Sequence, residues 1–362
     1  MAKNKFVGKI PQENFKNVLI ARFSALGDVA MTIPVVYSVC RANPETRFIM
    51  ITQIVSSTLF INMPSNLVVL GVDIKDKYHG LHGLYNLSKE LRAKYSIDAF
   101  VDLHDVLRTH ILSLFFFIAR IPVKRINKGR VGKRSLTRRR NKRMFPLISS
   151  RARYREVFYR FGFKFTELFE SVFGENKADA SEFADISAPK KPNEKWIAIA
   201  PFAKHQGKVY PLTLMEKVLA TLTKWDDTHV FLFGAGEQEQ EILKSWVGKY
   251  PNVTSLAEKR NGFPKELALL SNIDVMVSMD SANMHLASLV KLPVVSVWGA
   301  THPYCGFMGW RQEEQNAVQL NMACRPCSVF GNKPCLTNDY FCLTGISPQM
   351  IISRIKKILD NE

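Results

Sequence analysis

Two acids stand where a parallel α/β sheet would place its chemistry. In Val18-Leu-Ile-Ala-Arg-Phe-Ser24-Ala-Leu-Gly27-Asp28-Val-Ala-Met-Thr-Ile-Pro34 and in Asp274-Val-Met-Val-Ser-Met-Asp280-Ser281-Ala282-Asn-Met-His285-Leu, a short apolar run meets a polar elbow and then apolar residues at helical spacing. That pattern predicts a buried strand feeding a helix. Open parallel sheets bind ligands at the carboxyl ends of their strands, against helix N-termini. Asp28 and Asp280 occupy these elbows, one in each half of the chain. A carboxylate so placed can orient and deprotonate a hydroxyl. One acid on each side of a shared cleft suits a transferase that brings two substrates together. Each elbow also fits an ordinary helix cap, and for Asp28 the two roles are compatible.

Three further features carry anion or sulfur chemistry. The N–H groups of Ser281 and Ala282 would open a helix, where the dipole favours negative charge. Lys208, in Pro201-Phe-Ala-Lys-His-Gln-Gly-Lys208-Val-Tyr210-Pro211, lies between a strand and a helix, where a lysine either reaches a diphosphate or stays on a surface loop. The turn Gly234-Ala-Gly236-Glu237 is a weaker candidate, because Gly pairs are routine at strand–helix turns. Four of the six cysteines are bunched as Cys324-x2-Cys327-x7-Cys335-x6-Cys342. In a reducing compartment this reads as a metal site sooner than as disulfides. The spacing lacks the second Cys-x2-Cys of zinc ribbons, so uncoordinated or redox-labile thiols are preferred. Cys40 and Cys305 read as packing residues.

The elements that must position these groups alternate along the chain. Strands are predicted at Val18–Arg22, Arg47–Ile51 and Ala99–Leu103, with helices at Ala30–Arg41, Leu84–Lys94, Leu107–Arg120 and through the aromatic-rich Arg151–Phe173. Residues 176–193 are poor in apolar side chains and carry Pro189 and Pro192, which marks a linker. A second alternation follows. Strands are predicted at Trp196–Ala200, His229–Phe233, Ile273–Ser278 and Val294–Trp298. Thr213-x-x-Glu216 forms a capping box before a helix, and an amphipathic helix closes the chain over Ile346–Leu359. Two doubly wound domains facing a cleft follow from this order. A length of 362 residues and 46% hydrophobic content fit two ordinary cores. The N-terminus lacks a continuous apolar run and Ile111–Ala119 is too short to span a bilayer, so the chain is expected in the cytoplasm.

The net charge of +18 is unevenly placed: residues 120–143 hold twelve Lys/Arg and no acid, leaving +6 for the rest. Such a block is a footprint for a polyanion, whether lipid phosphates, a charged glycan or nucleic acid, or else a solvated basic loop. We expect an arm docking on the anionic membrane surface, with Arg138, Arg139 and Arg140 central.

Taken together, the motifs resemble glycosyltransferase family 9, the lipopolysaccharide heptosyltransferases. Ser24-Ala-Leu-Gly27-Asp28 is similar to the family's N-terminal Ser-x-x-Gly-Asp element. Asp98-Ala-Phe-Val-Asp102-Leu-His-Asp-Val-Leu-Arg108 resembles its second signature. Lys208-Val-Tyr210-Pro211 resembles its Lys-x-Trp-Pro, and Met279–Ala287 with Pro293–Pro303 its nucleotide-sugar signature. The match runs from Val18 to Leu359. The chain departs from the pattern at Ala203-Lys204-His205, at Ala282 and at His302.

The resemblance implies a GT-B fold of two Rossmann-like domains facing a central cleft. Residues 1–188 would bind the acceptor, 189–345 the nucleotide sugar, and 346–362 would form a helix packing back toward the N-terminal domain. It implies inverting transfer of a sugar, typically heptose from ADP-heptose, to a lipid-linked inner-core saccharide at the inner membrane. No cofactor or metal is implied, and a monomer is expected. Asp28 matches the general base. Lys208 matches a diphosphate ligand, with Gly234, Glu237, Asp280, Ser281, Ala282 and His285 on the donor side. Ser24, Gly27, Arg108 and Arg138–Arg140 would meet the acceptor. Two alternatives stay open: a transferase using another nucleotide sugar, and a protein binding nucleic acid through the basic block. The latter leaves the matched acid elbows unexplained.

Overall fold

The computed structural model describes residues 15–360. Residues 1–14, part of the N-terminal stretch read above, and the last two lie outside the described residues. Two sheets, parallel throughout, organise the chain. The first contains β1 (Asn17–Ala21), β2 (Arg47–Gln53), β3 (Leu67–Val72), β4 (Ala99–Asp102) and β5 (Val123–Arg125) in the order 3-2-1-4-5. The second contains β6 (Lys195–Ala200), β7 (Thr228–Leu232), β8 (Val253–Ser255), β9 (Val275–Met279), β10 (Val294–Val297) and β11 (Ala317–Val318) in the order 11-10-9-6-7-8. The strand order reverses between β1 and β4 in one sheet and between β6 and β9 in the other. Ligands of doubly wound sheets bind at such switch points. Asp28 follows β1, Asp280 follows β9, and the Lys208 loop follows β6.

Among the described residues thirteen α-helices flank the strands: α1 (Leu26–Ala30), α2 (Ile33–Ala42), α3 (Ile54–Ser57), α4 (Gly80–Tyr95), α5 (Leu107–Ile118), α6 (Arg130–Thr137), α7 (Ser150–Tyr159), α8 (Leu212–Leu222), α9 (Glu237–Val247), α10 (Phe263–Asn272), α11 (Ala282–Ser288), α12 (Phe341–Thr344) and α13 (Pro348–Leu359). The strands β1 and β9 are buried on both faces, which is why they read as continuous apolar runs. A first apolar cluster runs from β1 and α2 through Tyr154, Phe158 and Phe169 to Trp298, so it belongs to both halves. A second cluster lies on the other face of the second sheet, a third beneath α4 and α5.

Several expectations need correction. The helix predicted over Ala30–Arg41 is two helices. The chain turns at Met31–Thr32, and Pro34 then sits in the first turn of α2, where its missing N–H costs nothing. The helix predicted over Arg151–Phe173 stops at Tyr159, and Gly162 follows with a positive φ of 88°. The aromatics beyond it fill the core from an irregular segment instead. Thr213 caps nothing: Pro211, with extended ψ, launches α8 at Leu212 and leaves Thr213 inside the first turn. The final helix does not return to the first half. Ile351, Ile352 and Ile355 of α13 are buried in the cluster shared with α8 and the second sheet, because that face of the sheet would otherwise be bare. The expected linker is partly anchored: Ala178 N–H donates to Ser271 Oγ at 2.9 Å, and just before the linker Val172 N–H donates to Leu289 C=O at 2.8 Å.

Candidate active site

The first wall of the site is the β1–α1 elbow. Arg22, buried at the end of β1, sets its Nη2 2.6 Å from Asp28 Oδ2 and donates from Nη1 to Leu103 C=O at 2.8 Å. The Ala25 N–H also points at Asp28 Oδ2, at 3.4 Å. Asp28 therefore holds the start of its helix, as a cap does, yet its side chain is 29% exposed. Among the described residues no hydrogen bond engages Oδ1, which leaves that oxygen for a hydroxyl. His104 meets the same elbow, with Nε2 3.5 Å from Ser24 Oγ. Burial, with Arg22, Lys128 and Arg108 nearby, pulls the His104 imidazole down to about 3, so it is neutral near pH 7. Asp102 shapes this loop by accepting the His104 and Asp105 N–H groups at 2.8 and 2.9 Å and Arg125 Nε at 3.0 Å.

The second wall is the β9–α11 elbow. Asp280 is buried, and Lys208 Nζ stands 3.0 Å from its Oδ2. The Lys208 loop is held from both sides. Ala300 N–H donates to Gly207 C=O at 2.8 Å, and a Cβ on Gly331 would come 2.4 Å from Lys208 Cγ. Tyr210, where the family pattern has Trp, is fully buried and donates from its hydroxyl to Ile346 C=O at 2.8 Å. Ser281 precedes α11 with no side-chain bond of its own to the helix start, so the N–H groups there are not capped by it.

The two walls touch. Gly27 lies so close to α11 that a Cβ there would stand 2.7 Å from His285 Cδ2 and 3.2 Å from Ala282 Cα. Only a residue without a side chain lets α1 and α11 meet in this way. His285 is buried, and its Nδ1 finds no partner among the described residues. Burial brings it down to about 4 against the opposing pull of Asp280 and Asp28, so it is a neutral ring joining the elbows.

The remaining expected residues divide. Arg108 is exposed in the first turn of α5, at the same rim as His104. Gly234 packs against Phe202 and Leu243, while Glu237 is exposed. The acid folded onto that turn is Glu239, whose Oε2 accepts the Ala235 N–H at 2.8 Å. The basic block is not a free arm. Arg125 and Arg130 pair with Asp102 and Asp105, Lys128 donates to the Asp105 carbonyl at 3.1 Å, and Lys142 donates to the carbonyls of Cys324 at 2.6 Å and Pro326 at 2.9 Å. Those partners lie in both halves, so the segment bridges the cleft. Arg138, Arg139 and Arg140 stay exposed beyond α6, and among the described residues they make no ion pair with either wall.

The four clustered cysteines are free. Cys324 is exposed, Cys342 is buried, and burial pushes the Cys342 thiol up to about 11. Among the described residues no group of three His, Cys, Asp or Glu is placed to hold a metal ion. Arg325 fills the space beside them, donating to the carbonyls of Gly299, Thr301 and Leu320. Arg22, His104, Lys128 and Lys133 were not singled out from sequence. The available signals were an arginine closing a buried strand and the absence of acids around the two lysines.

Two parallel α/β domains that offer an acid elbow and a lysine–acid pair to one cleft define the GT-B class of glycosyltransferases. The sequence profile of glycosyltransferase family 9 (heptosyltransferase) matches residues 84–335. The chain belongs to this family. It is 22% identical over 358 residues to the lipooligosaccharide heptosyltransferase 2 of Campylobacter jejuni, covering 93% of this chain and 96% of that one. Among solved structures it is similar to a family 9 glycosyl transferase from Veillonella parvula, with a TM-score of 0.73 at 14% identity over 96% and 98% of the two chains. It is also similar to E. coli heptosyltransferase WaaC with ADP, with a TM-score of 0.64 at 15% identity over 94% and 99%. At these identities the structural matches speak for the fold.

Proposed function

We propose that the chain transfers heptose from ADP-heptose, with inversion, onto a lipopolysaccharide inner-core or related glycolipid acceptor. The observation that carries this reading is the Gly27–His285 contact, which fixes Asp28 against the helix that begins beside Asp280 and Lys208. The acceptor hydroxyl attacks the anomeric carbon of the donor and gives its proton to Asp28 Oδ1. The bond from that carbon to the diphosphate breaks, and its electron pair leaves with the nucleotide. Arg22 keeps Asp28 aimed. Lys208 exchanges part of its bond to Asp280 for the phosphoryl oxygens, joined by the Ser281 and Ala282 N–H groups. The similarity to heptosyltransferases, one of them solved with ADP, supports the donor.

On this reading the first domain, to about residue 188, receives the acceptor, the second receives the donor, and one chain completes a site. Peripheral docking on an anionic membrane is part of the proposal. Among the described residues no helix is long and apolar enough to cross a membrane. Yet α5 exposes Leu107, Leu114, Phe117 and Ile118, with Phe117 72% exposed, and no acid occurs from Val106 to Arg155. An apolar face amid unopposed positive charge matches an anionic lipid surface. Thermal-shift measurement tests the donor. ADP and ADP-heptose are expected to raise Tm, while UDP and GDP at equal concentration leave it unchanged. Stabilisation by UDP or GDP alone would assign the enzyme another nucleotide sugar.

A further inference from the structure

Lys133 is a cation in the cleft that the mechanism above does not use. It lies within α6, which is slung between the two halves. At one end Arg130 pairs with Asp105 at 2.7 Å. Beyond the other end Lys142 reaches the Cys324 carbonyl, Leu147 N–H donates to Tyr304 C=O at 2.9 Å, and Ser150 N–H to Gly306 C=O at 2.9 Å. The Lys133 side chain is half-buried, with its ammonium 4.4 Å from the ring centre of Phe307 in the second half. Among the described residues the ammonium's one close partner is the Phe307 ring; it has no carboxylate at ion-pair distance and donates no hydrogen bond. Its neighbours Arg125, Arg130 and Lys142 all have one.

The charges that reach Lys133 place it. They are Arg153 and Lys128 from its own half, Asp28 from the first wall, and Cys305 from the second half. Cys305 in turn lies within the fields of Asp280 and Lys208. Lys133 and Lys208 are thus both within electrostatic reach of Cys305, one from each domain, and Phe307 beside Lys133 is two residues from Cys305. A half-buried ammonium without a counter-ion is costly to keep. It becomes an asset when an anion arrives, because its charge acts in a medium less polar than water.

We propose that Lys133 is a second diphosphate cation, reaching from the acceptor domain to the donor phosphoryl oxygens that Lys208 holds from the other side. The inference rests on the donor site described above. It gives the leaving group positive charge from both walls as negative charge builds on it. It also makes the seating of α6 a condition for full donor affinity. Burial is the main influence on the Lys133 ammonium and outweighs the pull of Asp28, bringing it down to about 8. Cys305, raised by burial to about 11, titrates well above it. The cation is therefore present at neutral pH and is lost as pH rises through about 8.

The test uses Lys133→Gln, Lys133→Arg and Lys208→Ala in the full chain, with ADP, adenosine and inorganic pyrophosphate as calorimetric probes. Lys133→Gln should weaken ADP and pyrophosphate about tenfold, leave adenosine unchanged and lower kcat. Its Tm should not fall, since an unpartnered charge has been removed. In the parent, kcat/KM for the donor should decline above pH 8, whereas Lys133→Arg, always charged, should carry activity further into the alkaline range. If Lys208→Ala weakens pyrophosphate and Lys133→Gln does not, the proposal is wrong and the donor site stands. If neither variant weakens it, the donor site itself is misplaced and this inference falls with it. A change confined to the acceptor KM, or an alkaline limb identical in parent and Lys133→Arg, also overturns it.

Discussion

Gly27→Ala tests the contact on which the arrangement of the site depends. Gly27 lies in α1 without a positive φ, so alanine suits its backbone and favours the helix by up to ~1 kcal/mol. Space decides the outcome instead. The new Cβ would stand 2.7 Å from His285 Cδ2 and 3.2 Å from Ala282 Cα. Carbon atoms settle at about 3.5 Å or more, so relief requires a shift approaching ~1 Å. His285 is buried and cannot swing aside freely, and overpacking of this kind costs about 1–3 kcal/mol. The open route is for α1 to draw away from α11, carrying Asp28 with it. A displacement of about 1 Å in a reacting group can cost ~100-fold in rate. We expect kcat for ADP release to fall by about 10- to 100-fold and Tm to fall by roughly 2–4 °C for each kcal/mol lost. ADP affinity should stay within about threefold of the parent, because Lys208 and β9 need not move. His285→Ala in the same chain removes the nearer clash and should restore part of kcat, giving a favourable coupling in a double-mutant cycle. A Gly27→Ala enzyme with kcat within about twofold of the parent would refute the argument.

Asp28→Asn should keep ADP affinity while lowering turnover by about 10² or more, and near-parent turnover would remove Asp28 as the base. Lys208→Ala and Asp280→Ala should each weaken ADP, Lys208→Ala by about 1.5–3 kcal/mol, the scale of a charged hydrogen bond; unchanged calorimetric titrations of both would count against the diphosphate site. Elemental analysis of the purified chain should find no stoichiometric zinc, with Cys324, Cys327, Cys335 and Cys342 reacting as thiols once the chain is unfolded; about one metal ion per chain would reverse this reading. Arg138→Ser, Arg139→Ser and Arg140→Ser together should reduce flotation with phosphatidylglycerol vesicles, each residue contributing about 1 kcal/mol at low salt and far less at high salt. Undiminished binding at low salt would show that these arginines do not dock the enzyme.

The sequence was most informative where burial on both faces of a strand left an uninterrupted apolar run. β1, β2, β4, β6, β7, β9 and β10 are of that kind, and so were the elbows after β1 and β9 that hold Asp28 and Asp280. Edge strands escaped notice for the converse reason. β5 is Val-Lys-Arg, with no fully buried residue, and β8 is Val-Thr-Ser, with only Val253 buried; each is three residues long. Charge was legible as a total and misleading as a location. Residues 120–143 read as one arm free to dock on a polyanion, but several of its cations are engaged by residues distant in sequence: Asp102 and Asp105 at and just after the end of β4, and the carbonyls of Cys324 and Pro326. No local pattern states which of twelve cations will meet an acid on the neighbouring strand or in the loop after it, and which will be left, as Lys133 is, against an aromatic ring of the other half. The closing of the site was hidden in the same way. Gly27 looked like part of an elbow, and His285 like a helical residue near the donor. That each is the other's reason for being there depends on two domains meeting so closely that a Cβ on Gly27 would stand 2.7 Å from His285 Cδ2, an approach that neither half of the chain encodes alone.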